Sequence, residues 1–82
     1  MPVSSISKQF GKVVRKRRIT SGISQEKLAE LASLHPNYVG MVERGVRNPT
    51  LDAANRIAKA LGIDFPKLIE ESLKGNGGGE KT

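Results

Sequence analysis

The sequence predicts an all-α fold, a compact domain of five helices, and three observations carry that prediction. Apolar residues recur at helical spacing in separate segments, and no segment shows the apolar–polar alternation of a strand. Capping residues and glycines bracket these segments: Ser24, Thr50 and Asp64 stand just before helical patterns, and Gly22, Gly45 and Gly62 just after them. The length of 82 residues admits one small domain and not two.

Helix one is expected from about residues 5–7 to 21, with Phe10, Val13 and Val14 spaced i, i+3, i+4 on its apolar side. Gly11 inside it costs about 1 kcal/mol relative to Ala, and Gly22 ends it. The run Arg15-Lys16-Arg17-Arg18 wraps the last turns, where cations favour the helix dipole. Helix two runs from Gln25 to about Ala32 with Ser24 as its N-cap. Lys27 stands where a capping box would want Glu, so the cap is a single one. Leu28, Ala29, Leu31 and Ala32 form its apolar set, and the small Ala29 lets the next helix cross closely.

Ser33-Leu34-His35 forms a turn, with Leu34 as a buried plug between helices. Pro36 suits the first position of helix three, where its missing N–H costs nothing, and that makes His35 an unusual N-cap. Helix three reaches about Arg44 and stops at Gly45; Val39 and Val42 face inward, and Asn37, Gly40, Met41 and Arg44 lie on the opposite face. After the loop at 46–49, Thr50 caps helix four, which runs to about Leu61 with Leu51, Ala54, Ile57, Ala58 and Leu61 apolar. Asp64 caps helix five, Phe65 to about Leu73. The domain is residues 1–74; the Gly-rich segment 75–82 is expected to be a disordered tail.

Composition excludes several functions. Without cysteine there is no disulfide and no thiolate metal site, and the single His35 cannot hold a metal unaided, so neither metal nor cofactor is expected. No Ser/His/Asp or Cys/His constellation and no phosphate loop points to an enzyme. Phe10, Tyr38 and Phe65 make no stacking platform for RNA. The N-terminus lacks an apolar signal region and no apolar run approaches a membrane span, which reads as a soluble cytoplasmic protein with no membrane partner. The charge is lopsided. Residues 1–48 hold nine basic and three acidic groups, net +6, whereas residues 49–82 hold five of each. A one-sided basic field suits a polyanion.

Ser24 to Gly45 holds two short helices joined by a tight turn, the plan of a helix-turn-helix, whose second helix enters the DNA major groove. Residues 10–62 resemble the lambda-repressor/Cro-type family, also called the XRE family. The resemblance rests on Arg18, Ser24-Gln25, Leu28-Ala29, Tyr38-Val39, Glu43-Arg44-Gly45, Arg47-Asn48-Pro49-Thr50-Leu51, Ile57-Ala58 and Ala60-Leu61. The whole chain is similar to small stand-alone repressors and to restriction–modification controller proteins.

The resemblance implies that Gln25 bonds a phosphate or braces the recognition helix, and that Arg18 and Glu43 form an internal ion pair. Asn37, at the second position of helix three, has the chemistry to bond adenine bidentately. Met41 either touches a thymine methyl or is a solvent-facing helix former, and Gly40 allows close approach to a base edge or backbone. Pro36 offers only apolar contact. The family usually carries polar side chains at the Pro36 and Gly40 positions, so readout shifts toward Asn37, Arg47 and DNA shape. Arg44 and Arg47, with the helix-one cations, are phosphate candidates; Arg47 alternatively reaches a guanine edge. Asn48 offers its backbone or side-chain amide to the same strand, and Thr50 heads a helix whose free N–H groups point in a similar direction. The Tyr38 hydroxyl reaches a phosphate, or its ring packs on helix two. His35 is a cap or a phosphate neighbour.

Phe65, Leu68, Ile69 and Leu73 are spaced i, i+3, i+4, i+8, and one helix in so small a domain cannot hide all four. The surplus predicts a two-fold dimer through helix five. The expected function is a DNA-binding transcriptional regulator, acting as a homodimer on a near-palindromic operator of double-stranded DNA. The alternative is an interaction adaptor or antitoxin that keeps the fold. RNA polymerase and a toxin are the further candidate partners.

Overall fold

The structure, a computed structural model, describes residues 2–74. Among them are five helices and no strand: α1 Ser5–Thr20, α2 Gln25–Ala32, α3 Pro36–Glu43, α4 Leu51–Leu61 and α5 Phe65–Leu73. The Gly-rich segment 75–82 and its expected disorder lie outside the described residues.

Capping sets the boundaries. Side-chain oxygens of Ser4, Ser24 and Thr50 accept the N–H of Ser7, Lys27 and Ala53, one orphan donor satisfied at each helix start. His35 does the same for α3 through its ring, with Nδ1 accepting the Asn37 N–H at 3.1 Å. Asp64 stands at the N-cap of α5 but makes no side-chain cap bond, so there the expectation holds for position and fails for the bond. The α2–α3 turn passes through Ser33 in the left-handed region (φ 58°), the one non-glycine residue there among those described.

The helices close around Val14, Leu28, Val39, Val42, Ile57 and Leu68, each fully buried. Burying each such side chain stabilises by about 1.5–3 kcal/mol. α1 packs on α5 and α3, while α2 packs on α4 and α3. Buried alanines on α2 and α4 (Ala29, Ala32, Ala53, Ala54 and Ala58) keep those axes close. Ser72, also fully buried, donates its hydroxyl to the Leu68 carbonyl at 2.8 Å, so no polar group is orphaned there.

Three apolar assignments change. Leu31 and Leu51, placed in the apolar sets of α2 and α4 by spacing, are 50% and 79% exposed. Both lie at the edge of their helix's buried arc, where a small domain has no partner left to cover them. Leu34 is only half-buried, packed against the core rather than sealed in it. Gly11 has a reason that spacing did not supply: a Cβ there would overlap the Val42 carbonyl oxygen of α3.

Candidate nucleic-acid interface

The C-terminal end of α3 carries a buried carboxylate, Glu43, only 5% exposed. Three donors reach it. Arg18 of α1 donates from Nε to Oε2 at 2.7 Å and from Nη2 to Oε1 at 3.1 Å, the two-pronged geometry that a guanidinium matches to a carboxylate. Gln25, the first residue of α2, donates from Nε2 to Oε1 at 3.0 Å. Arg18 also donates from Nη1 to the Ile23 carbonyl at 2.9 Å. The Arg18 guanidinium is pushed up from its ordinary value, chiefly by the hydrogen bonds to Glu43 and against the opposing effect of burial. One carboxylate therefore ties together α1, the start of α2 and the end of α3, and Arg18 extends the tie to the α1–α2 turn. These bonds fasten the end of α3 to α1 and to the start of α2.

Outward from this brace, Asn37, Arg44 and Arg47 are exposed, and Pro36 and Met41 are half-buried. Gly40 does not lie open as its helical position suggests. It is buried under the Arg44 guanidinium and the Gln25 amide, which fold over the space a side chain would take. Any close approach that Gly40 permits is therefore, in the free protein, to Arg44 and Gln25.

Two further residues turn toward their own loop. The Tyr38 hydroxyl accepts the Thr50 N–H at 3.2 Å, and the Arg47 guanidinium lies over the Tyr38 ring, 5.3 Å from its centroid. Asn48 spends its amide on the N-terminal segment: Oδ1 accepts the Ser4 N–H at 3.0 Å, and Nδ2 donates to the Pro2 carbonyl at 3.3 Å. Sequence reasoning missed this clasp because its partners are more than forty positions away. Thr50 caps α4.

The expected dimer set divides. Leu68 is fully buried in the core and has no surface to offer, whereas Leu73 is 62% exposed. Phe65 and Ile69 are half-buried and line an apolar groove of about 340 Å³ with Ile6, Phe10, Leu51 and Ala54. Ile6 and Leu51 join this face from other helices; the exposed apolar side chain at the start of each helix was the available signal.

The helix-turn-helix family model matches residues 14–68, two-thirds of the chain and all of the braced unit. The chain belongs to this XRE-type helix-turn-helix family. It is 44% identical over 68 residues to Control protein C.BamHI of Bacillus amyloliquefaciens, covering 82% of this chain and 84% of that one. The restriction–modification controller protein C.AhdI from Aeromonas hydrophila superposes with a TM-score of 0.73 at 44% identity, over 76% of this chain and 94% of its own. C.Esp1396I bound to a 19-base-pair DNA duplex superposes with a TM-score of 0.79 at 29% identity, over 88% and 96%. The family and these relatives are transcriptional regulators and not enzymes. Among the described residues no helix is long and apolar enough to cross a membrane, and no His, Asp and Glu group is arranged to hold a metal ion.

Proposed function

We propose that the chain is a sequence-specific DNA-binding transcriptional regulator of the controller-protein type, acting as a homodimer on a near-palindromic operator with α3 in the major groove. The observation that carries this reading is the Arg18–Glu43–Gln25 brace. It fastens α3 from its buried side and leaves Asn37, Arg44 and Arg47 exposed, with Met41 half-buried beside them in sequence. Asn37 and Arg47 have the donors for base edges; Arg44 and the α1 cations other than Arg18 supply phosphate contacts that fix register.

The apolar groove supports the dimer. Ile6, Leu51 and Leu73 are exposed, Phe65 and Ile69 half-exposed, and burying them against a second copy removes apolar surface from water. A two-fold dimer of this kind places its recognition helices about 34 Å apart, one turn of duplex.

Binding selection from a randomised duplex pool at moderate salt tests the reading. Enrichment of a near-palindrome with half-sites about 10 base pairs apart is expected. Recovery of unselected DNA only, with affinity collapsing as salt rises, overturns it.

A further inference from the structure

We infer that Tyr38 is a positioning residue for Arg47: it orients the guanidinium for base readout and does not itself need to touch DNA. The inference rests on the DNA-binding reading above. Arg47 sits in the loop between α3 and α4, exposed, with no carboxylate partner among the described ion pairs. A long side chain in that setting samples many rotamers, and fixing it on DNA costs entropy. Tyr38 reduces that freedom in two ways. Its ring, packed against the core, carries the Arg47 guanidinium 5.3 Å from its centroid, within cation–π range. Its hydroxyl accepts the Thr50 N–H at 3.2 Å, tying α3 to the end of the loop that carries Arg47. Ring and hydroxyl thus engage both the Arg47 side chain and the far end of its loop from one residue of α3. The hydroxyl oxygen is turned toward the protein's own loop.

The test uses the full chain and a duplex from the binding selection, with Tyr38→Leu, Tyr38→Phe, Arg47→Ala and the Tyr38→Leu/Arg47→Ala double variant. Tyr38→Leu is expected to weaken binding roughly two- to fivefold, the fold-change equivalent of an exposed cation–π contact. That loss is expected to vanish in the Arg47→Ala background, and Tyr38→Leu and Arg47→Ala should relax discrimination at the same base step. In the free wild-type protein and in Tyr38→Phe, the Arg47 δ-methylene protons should show an upfield ring-current shift that Arg47 lacks in Tyr38→Leu. Equal losses in both backgrounds overturn the positioning role while leaving DNA binding intact, because they mean that Tyr38 acts independently of Arg47. Wild-type protein with no duplex preference overturns the DNA-binding reading and this role with it. Should Tyr38→Leu not fold, the wild-type and Tyr38→Phe shifts decide: unshifted protons in both overturn the proposal.

Discussion

Gly11 of α1 lies directly against the Val42 carbonyl of α3, so close that the smallest side chain would overlap the oxygen. The contact joins the first helix to the last turn of α3. It explains why a residue that weakens a helix by about 1 kcal/mol relative to Ala is kept mid-helix.

Gly11→Ala is therefore expected to destabilise despite the better helix propensity of Ala. A Cβ against backbone leaves no flexible neighbour to move, and overpacking of this kind costs about 1–3 kcal/mol. In a domain of this size that corresponds to a fall in Tm of several degrees or more. A melting curve at or above wild type would show that α1 and α3 separate at little cost.

Glu43→Ala removes the carboxylate that Arg18 and Gln25 share. Arg18, with a side chain only 12% exposed, then keeps its charge without its partner. The expected loss is about 3–5 kcal/mol, and DNA binding weakens with it. An unchanged Tm in thermal denaturation would mean that the brace contributes little to holding α3.

Leu51 and Leu68 are expected to separate association from folding. Leu51 is 79% exposed, so Leu51→Glu should leave monomer stability within about 0.5 kcal/mol while shifting dimer to monomer. Leu68 is fully buried, so Leu68→Ala should cost about 2–5 kcal/mol. Sedimentation velocity at micromolar concentration, beside melting curves, checks both. A Leu51→Glu protein that still dimerises would place the interface elsewhere.

Asn48→Ala should release the N-terminal segment. Both bonds of the clasp are exposed, so global Tm is expected to change little, by about 1 kcal/mol at most in stability. Hydrogen exchange at the Ser4 amide should nevertheless accelerate. Unchanged protection there would show that α1 starts without help from the α3–α4 loop.

By itself, the sequence determined the helices and their ends. Ser24 and Thr50 as caps, Pro36 at the first position of α3 and the glycines after α1, α3 and α4 act within a turn or two of their own position, and local chemistry is legible locally. It also pointed to Arg18 and Glu43, through a resemblance rather than through spacing. Only the tertiary structure decided which side chains meet at a distance. Gly11 against Val42, Asn48 clasping Pro2 and Ser4, and Tyr38 holding Arg47 and Thr50 all depend on how the loops and helices cross. The same holds for the exposed face. Leu51 and Leu68 both fit an apolar helical stripe, but only the packing of the five helices buries one and leaves the other in water. Periodicity marks a face; the number of neighbours available to cover it is a property of the folded domain.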